Sequence, residues 1–257
     1  MPELPDLQVF SHNLTKIFKD KKLEKINIKV AAKLKVSEKT LQDTLEGQTL
    51  EKVIRKGKEL YFGFKNGHTL ALHLMLHGQL YLFDNENEHK FTIIELLFDG
   101  SKGLALTDFQ KAATPTLDPE DNGVIDALEV SFEYLKEKLS ARRTAIKTIL
   151  MDQAVLRGVG NAYADEILYD AKLSPFSIAN KIPDEKIKQL AQSIKSVLED
   201  AEKQIIKAQP NIISGEIRDF LKVHLPKKKE TSTGQTIHQK EVGSRKTYYT
   251  DEQELFS

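Results

Sequence analysis

Pro2 and Glu3 are the residues whose types and positions best suit covalent chemistry. Met-Pro is a sequence from which the initiator methionine is readily removed, which would leave Pro2 with a free secondary amine. Such an amine can attack a sugar C1′ and form an iminium ion, which is cationic without an extra proton. Glu3 could protonate the sugar ring oxygen or carry protons as a general acid–base. The alternative is structural, because Pro2 and Pro5 can simply lead into a helix.

Two other segments could hold a phosphate. RKGK at 55–58 precedes a strand-like stretch, so Lys58 could reach the phosphate beside a reacting sugar, although lysines at strand starts usually stay in water. Gly158 and Gly160 lack Cβ atoms, so their backbone can approach a phosphate closely. Asn161 would start the next helix, where its side chain and the free N–H groups can bind an anion. An ordinary glycine turn with an asparagine cap is the alternative.

The periodicity of the chain predicts two parts that position these residues. Apolar residues at helical spacing after Pro5 predict one amphipathic helix that ends near Lys19. Val, Ile, Leu, Phe and Tyr between turn signals then predict strands near 23–30, 49–55, 59–65, 69–76, 79–83, 91–98 and 103–107. The cluster TPTLDPEDNG at 114–123 breaks this pattern. Beyond about Ala127 we predict helices near 129–138, 144–152, 162–171, 184–207 and 215–222, and a hairpin within 233–250.

Composition limits the possible functions. The chain has 38 basic and 38 acidic residues, which excludes a globally basic nucleic-acid binder. Residues 218–246 carry eight Lys and Arg residues against Asp219, Glu230 and Glu241, so this stretch could neutralise phosphates or form a solvated face. The absence of cysteine excludes disulfides, a thiol nucleophile and a thiolate zinc site. Without a long apolar run or a basic-then-apolar leader, we expect a cytoplasmic protein with no membrane partner.

Five motifs occur in the order and spacing of the formamidopyrimidine-DNA glycosylase and endonuclease VIII family, which the chain resembles over nearly its full length. They are PELPD at the N-terminus, RKGK, HLMLHG at 73–78, AIKTILMD at 145–152 and GVGNAYADE at 158–166. The last resembles the helix–two-turn–helix of that family. The resemblance implies an α+β fold of two domains.

The first implied domain, at 1–120, is an N-terminal β-sandwich with flanking helices. The second, at 127–224, is helical and contains the helix–two-turn–helix, and a β-hairpin finger follows at 225–257. DNA would lie across the cleft between the two domains.

The resemblance also implies an activity. The chain would be a bifunctional DNA glycosylase and abasic-site lyase in base excision repair, which excises oxidised or ring-opened bases by β-elimination and then δ-elimination. Pro2 corresponds to the Schiff-base nucleophile of the family, Glu3 to the acid–base carboxylate beside it, and Lys58 to the catalytic-site lysine that contacts DNA phosphate.

Other family positions imply DNA contacts. Lys147 and Asn161 correspond to phosphate ligands of the helical domain, and Arg245 to the arginine that enters the minor groove. Leu76 occupies the place of the intercalating methionine, where an apolar side chain can fill the space left by a flipped nucleotide. The implied partner is damaged double-stranded DNA, the implied state is a monomer, and a bacterial cell would hold it at the nucleoid.

The sequence departs from the family pattern in its first domain and in one loop. Asp6 stands where PELPE is usual. Within TDFQKAA at 107–113, Gln110 and Ala112 replace an arginine and a phenylalanine that read the base opposite the lesion. The segment at 208–215 is shorter than the loop that covers flipped 8-oxoguanine, so ring-opened purines or oxidised pyrimidines become the expected lesions.

The finger has lost the four zinc-binding cysteines of the family. Their places are taken by residues that lack the soft ligands of a structural zinc site: Glu230, Thr233, Thr250 and Gln253. We therefore expect a zincless finger, no metal and no other cofactor. The hairpin would be held by packing of its apolar residues and by docking on the helical domain, since an isolated hairpin is weak: Ile237, Val242, Tyr248 and Tyr249.

Histidines do not change the metal prediction. His73 and His77 are four residues apart, but in a strand-and-turn context they would not share a face. We expect His73 to be a structural hydrogen-bonding residue.

Two alternatives stay open. The departures at Asp6, Gln110 and Ala112 suggest a damaged- or structured-DNA-binding protein that keeps the fold without turnover. The retention of Pro2, Glu3 and Lys58 together argues against it. A structural nucleic-acid module is the second alternative, because similar helix–two-turn–helix units occur in ribosomal and topoisomerase proteins, which lack the N-terminal PELP. A metal-dependent nuclease would need a ligand cluster that the sequence does not show.

Overall fold

The computed structural model describes residues 1–257 and divides into two compact units. The first comprises residues 1–121 with 205–216, and the second comprises residues 122–204 with 217–257. The predicted boundaries placed 205–216 in the helical domain, whereas the structure groups this segment with the first unit. Its backbone is tied there by Asn13, whose Nδ2 donates to the carbonyl oxygens of Pro210 at 2.9 Å and Ile212 at 2.8 Å.

Helix α1 spans Leu4–Phe18, close to the predicted range. Pro5 lies in its first turn, where a missing N–H costs nothing, and Asp6 adds a negative charge near the positive end of the helix dipole. One face of the helix is fully buried: Leu7, Phe10, Leu14 and Phe18. The helix ends before Asp20, which adopts a left-handed φ of 62°.

Two antiparallel sheets follow in the first unit. One contains β1 (Leu23–Ile28), β5 (Gln79–Asp84), β6 (Thr92–Phe98) and β7 (Lys102–Thr107) in the order β1-β6-β7-β5. The other contains β2 (Leu50–Lys56), β3 (Glu59–Phe64), β4 (Thr69–His73) and β8 (Thr114–Leu117) in the order β2-β3-β4-β8. A single apolar core takes side chains from α1 and from both sheets, among them Phe10, Phe62 and Phe98. The first unit is therefore a β-sandwich with α1 packed on it.

Two elements of this unit were not predicted. Helix α2 spans Glu38–Leu45 and buries only Leu41 and Leu45, so two turns carry too few apolar residues for a periodic signal. Strand β8 lies in the segment that the Pro and Gly cluster was expected to break. Pro115 is tolerated there because β8 pairs only with β4, at the edge of its sheet.

The second unit is mainly helical. It contains α3 (Phe132–Ser140), α4 (Ile146–Met151), α5 (Asn161–Asp170) and α6 (Asp184–Ala208), followed by the hairpin strands β9 (His238–Val242) and β10 (Arg245–Tyr249). These bounds agree with the predicted helices to within three residues. No helix of the chain combines the length and apolar character needed to cross a membrane.

The predicted helix at 215–222 is wrong, because this segment has no helical residues. Its downstream backbone donors bond elsewhere: the N–H groups of Lys222, Val223 and His224 all donate to the carboxylate of Glu166, at 2.7 to 2.8 Å. A side chain from α5 thus supplies the acceptors that a helix would have supplied from its own backbone.

Candidate functional site

Pro2 lines a cavity of about 610 Å³ in the first unit. The wall combines the chain start, the turn after β4, strand β5, the β5–β6 loop and the segment after β7. Several of the side chains are aromatic or carry a ring: His77, Tyr81, His89, Phe91 and Phe109. A cavity of this size, with rings around the candidate nucleophile, can enclose a flat heterocycle.

The N-terminal ammonium is paired inside this unit. Met1 donates from its amino nitrogen to Oε1 of Glu216, and Glu216 lines the same cavity as Pro2. Pro2 itself is buried. Sequence patterns gave no signal for Glu216, because it follows the loop at 208–215 and meets the chain start only in the folded unit.

Glu3 and Asp6 lie at the start of α1. The backbone N–H of Glu3 donates to Oδ2 of Asp6 at 2.8 Å, and both side chains are buried, with Glu3 5% and Asp6 1% exposed. Asp6 thus caps the helix from its third position, where a side chain of this length reaches the first N–H groups. The shorter carboxylate of PELPD is compatible with this structural task.

Lys58 follows a turn that is fixed by α1. Gly57 adopts a φ of 57°, and Arg55 donates to its carbonyl oxygen at 3.1 Å and to Oε1 of Gln8 at 2.8 Å. Burial lowers the pKa of His73, and the nearby Lys58 lowers this pKa further, while Glu59 opposes both effects. Lys58 therefore lies close enough to the end of β4 for its charge to lower the pKa of His73.

Leu76 projects from a tight turn after β4. His73 accepts, at Nδ1, a hydrogen bond from the N–H of Met75 at 3.0 Å. Gly78 donates to the carbonyl oxygen of Leu74 at 2.8 Å, and a Cβ atom on Gly78 would lie 2.1 Å from that oxygen, so only glycine fits. The turn leaves Leu76 56% exposed, which is unusual for leucine and suits an apolar contact with a partner.

A second turn, after β7, lies beside the same cavity. The buried carboxylate of Asp108 accepts the N–H groups of Gln110, Ala112 and Ala113 at 2.8 to 2.9 Å. Gln110 is exposed, whereas Ala112 is half-buried. Phe109, which sequence analysis did not single out, is 57% exposed and lines the cavity.

Lys147 lies in the interior of the second unit, which differs from the phosphate-contacting place that the resemblance implied. Its side chain is 0% exposed. Its Nζ lies 2.7 Å from Oδ1 of Asp165, 2.8 Å from Oγ1 of Thr247 and 3.2 Å from the carbonyl oxygen of Lys246. The ammonium therefore joins α4, α5 and β10, and a phosphate could reach it only if these contacts opened.

Asn161 is the first residue of α5 and also contacts the hairpin. Gly160 precedes the helix in an extended conformation, and Gly158 has a φ of 109° that favours glycine. Asn161 donates from Nδ2 to the carbonyl oxygen of Lys246 at 3.1 Å. Its Oδ1 atom is buried and has no hydrogen-bond partner, so this end of α5 keeps one unsatisfied acceptor.

Arg245 is exposed at the tip of the hairpin. Gly243 and Ser244 form the two-residue turn with φ values of 53° and 61°, as a type I′ turn requires. The turn and Arg245 line a cavity of about 290 Å³ together with residues of α4, including Thr148 and Met151. The hairpin thus presents a guanidinium next to helix α4.

Sequence analysis missed the acidic pair that organises this unit. Asp165 is 1% exposed; its Oδ2 accepts the N–H of Tyr248 at 3.0 Å and lies 2.7 Å from Nδ1 of His224. Glu166 is 4% exposed, and burial raises its pKa despite the three backbone N–H groups that favour the charged form. Two adjacent acids inside an otherwise apolar helical pattern are the signal that could have indicated buried, bonded carboxylates.

The former cysteine positions do not fit a zinc ion. Gln253 accepts the N–H of Thr250 at 2.8 Å and donates to the carbonyl oxygen of Leu173 at 2.9 Å. Thr233 bonds through its hydroxyl with Thr231 at 2.9 Å. Hydroxyl and amide groups are poor ligands for zinc, and here they already serve as links within the finger.

Two family models match the chain. One, described as "Formamidopyrimidine-DNA glycosylase N-terminal domain", matches residues 1–114, and the other, described as "Formamidopyrimidine-DNA glycosylase H2TH domain", matches residues 125–214. The first range contains the residues of the Pro2 cavity wall up to Phe109. The second contains the helices that hold Lys147 and Asn161.

Curated and solved relatives agree with these matches. A formamidopyrimidine-DNA glycosylase of Mycoplasma genitalium is 28% identical over 271 residues, which cover 97% of this chain and 94% of the relative. That of Lactobacillus gasseri is 30% identical over 220 residues, or 79% and 78% of the two chains. The Lactococcus lactis protein, solved in an inhibited complex with DNA containing N7-benzyl-Fapy-dG, is 25% identical with a TM-score of 0.85 over 97% of this chain and 98% of that one. The chain belongs to the formamidopyrimidine-DNA glycosylase family.

Proposed function

We propose that the chain is a DNA glycosylase and abasic-site lyase that excises damaged bases, with the amine of Pro2 as nucleophile. The observation that carries the proposal is the position of Pro2, which lines a ring-walled cavity of about 610 Å³ in a chain of this family. Heterocycle-sized space next to a potential secondary amine is what attack on a nucleotide C1′ requires.

The proposed reaction begins after Met1 has been removed, because the Pro2 nitrogen is otherwise an amide. The amine attacks C1′, the base departs with a proton, and the opened sugar remains bound to Pro2 as an iminium ion. Loss of a C2′ proton then expels the 3′ phosphate, and a second elimination expels the 5′ phosphate. Water finally releases the sugar remnant and restores the amine, so no external oxidant, reductant or cofactor is consumed.

Other residues support this chemistry. Glu3, adjacent to the nucleophile, would carry protons between the sugar and the leaving base. Lys58 would hold the phosphate next to the reacting sugar. Removal of Met1 shifts the terminal amine by one residue, a Cα spacing of about 3.8 Å, so Glu216 on the same cavity wall would pair with it.

Damaged double-stranded DNA is the proposed partner of a monomeric protein. Arg245 would enter the minor groove from the exposed hairpin tip, while Asn161 and the backbone of Gly158 and Gly160 would contact phosphates. We leave Lys147 out of this set, because its ammonium is bonded inside the second unit. Ring-opened purines and oxidised pyrimidines are the proposed lesions, and the solved relative was bound to a ring-opened guanine derivative.

Borohydride trapping tests the proposal. Processed protein, shown by mass spectrometry to lack Met1, is mixed with duplexes that carry an abasic site, 8-oxoguanine, a ring-opened purine or an oxidised pyrimidine. We expect a covalent adduct with the abasic site and with the latter two lesions. Pro2→Gly abolishes the adduct and Glu3→Gln reduces it, while the matched control Pro226→Gly, at an exposed proline, keeps it.

A second candidate is a protein that binds damaged DNA without turnover. It is favoured by Gln110 and the half-buried Ala112, which stand where family members use larger duplex-entering residues. Absence of any adduct, from processed protein that binds the duplexes, would overturn the enzyme proposal and leave this one.

A further inference from the structure

The turn after β7 displays an exposed aromatic ring on a rigid support. Asp108 accepts three backbone N–H groups of the turn, and its own N–H donates to the carbonyl oxygen of Phe91 at 2.9 Å. Asp108 is 1% exposed, yet the next residue, Phe109, is 57% exposed. The bonded turn therefore holds the ring in an exposed position.

Phe109 is one of a group of exposed apolar side chains around the cavity of Pro2. Its ring centroid lies 4.7 Å from that of His77, which orients the ring. Leu76, one residue before His77, is 56% exposed and lines the same cavity. Exposed apolar residues grouped at the mouth of a cavity indicate a contact surface rather than scattered surface residues.

We propose that Phe109 enters the duplex beside Leu76 and stacks on the base opposite the lesion; this rests on the glycosylase function proposed above. Removal of a nucleotide from the stack into the cavity of Pro2 leaves a gap that apolar side chains can fill. A phenyl ring has the planar face that a base needs, whereas the half-buried methyl group of Ala112 does not.

The assignment has a consequence for specificity. Every base has a π face, so stacking on Phe109 tolerates any base opposite the lesion. Gln110, the exposed neighbour, adds one amide that can adapt its hydrogen bonds by rotation. The preference between the four opposite bases is therefore small, within about tenfold in dissociation constant, because one hydrogen bond of this kind contributes about 1 kcal/mol.

The chain contains no tryptophan, so a single Phe109→Trp substitution gives a probe without background. Fluorescence of this variant is recorded while it is titrated with a duplex that carries a stable abasic-site analogue, and binding is followed independently by the anisotropy of labelled DNA. The matched control is Leu255→Trp, because Leu255 is also 57% exposed but does not line this cavity. We expect strong quenching in Phe109→Trp with the lesion duplex, little with undamaged duplex, and little in Leu255→Trp.

Affinity supplies the second measurement. Phe109→Ala weakens binding of the lesion duplex about tenfold, since stacking on one base is worth about 1–3 kcal/mol. Phe109→Trp retains the affinity, and Leu255→Ala changes it little. Unchanged emission of Phe109→Trp at saturating DNA, or full affinity of Phe109→Ala, would overturn the assignment.

Neither the fluorescence measurement nor the affinity measurement depends on turnover, so their outcomes can be distinguished from that of borohydride trapping. Quenching without any trapped adduct would overturn the lyase proposal and leave Phe109 as a base-stacking residue. A trapped adduct without quenching would support the lyase proposal and overturn the assignment of Phe109 as a base-stacking residue. A processed protein that bound none of the duplexes would overturn both.

Discussion

The Nζ of Lys147 lies 2.7 Å from Oδ1 of Asp165, and neither side chain is exposed to solvent. The same ammonium bonds Thr247 and the carbonyl oxygen of Lys246, while the same carboxylate accepts the N–H of Tyr248. This ion pair therefore joins the finger hairpin to α4 and α5. The expected apolar packing of the hairpin is accompanied by a charged link that the sequence did not indicate.

Breaking this pair from one side will destabilise the second unit. Lys147→Met leaves Asp165 charged in the interior, a loss of about 3–5 kcal/mol in the free energy of unfolding. The double variant Lys147→Met with Asp165→Asn removes both charges and loses less. Urea unfolding measures the stability of both variants. The control is Lys25→Met, because Lys25 is an exposed residue of β1. If the single variant unfolded like the control, the link would not stabilise the unit.

Glu166→Gln will destabilise the chain at neutral pH. The wild-type carboxylate accepts three backbone N–H groups, whereas the amide nitrogen of glutamine would face one of these donors. Leaving that donor unpaired costs about 1–3 kcal/mol, measured by urea unfolding. Glu24→Gln, at an exposed position of β1, should leave stability unchanged.

The same residue predicts a pH dependence. Burial raises the folded pKa of Glu166 above its unfolded value, so the stabilisation from its protonated form is complete below the unfolded pKa and is lost as pH rises through the folded pKa. The free-energy difference between wild type and Glu166→Gln should therefore shrink from pH 4.5 towards pH 7. A constant difference over this range would contradict the raised pKa.

The turn that carries Leu76 should loosen in acid. Burial lowers the folded pKa of His73, with Lys58 acting in the same direction and Glu59 against it. Its contribution to stability is thus present above the unfolded value of about 6.5 and is lost as pH falls through the folded pKa. Protonation of Nδ1 also removes the acceptor for the N–H of Met75.

Hydrogen exchange of the Met75 amide measures this loosening. We expect its protection factor to fall between pH 7.5 and pH 5.5. His73→Gln supplies an acceptor that does not titrate, so protection in this variant should vary little with pH. Equal pH dependence in the two proteins would assign the effect to another group.

Arg245→Ala will weaken DNA binding without changing sequence preference. Loss of one phosphate-neutralising charge reduces the slope of log affinity against log salt by about one. Fluorescence anisotropy at several salt concentrations measures this slope. Lys25→Ala removes the same charge from β1 and should leave the slope unchanged; equal effects of both variants would show that Arg245 has no specific contact.

The elements and the site differ in how far the sequence predicted them. Strand alternation and helical periodicity reflect burial of one face, so α1, strands β1 to β7 and helices α3 to α6 followed from local patterns. The segment at 215–222 looked helical for the same reason, but the structure has no helix there. At its end the N–H of Lys222 donates to the carboxylate of Glu166, as do the next two backbone N–H groups. Interactions between residues distant in the chain leave no local pattern, which is why Glu216 was missed. The adjacent acids Asp165 and Glu166 did carry a local signal, because both interrupt an otherwise apolar helical pattern.

The finger is built without sulfur. The N–H of Thr250 donates to Gln253, and the side-chain amide of Gln253 donates to the carbonyl oxygen of Leu173. The whole chain lacks cysteine. Peroxide and hypochlorite inactivate cysteine zinc sites by oxidising the thiolates and releasing the ion. The hairpin that carries Arg245 contains no thiolate, so this route of oxidative inactivation is closed to it.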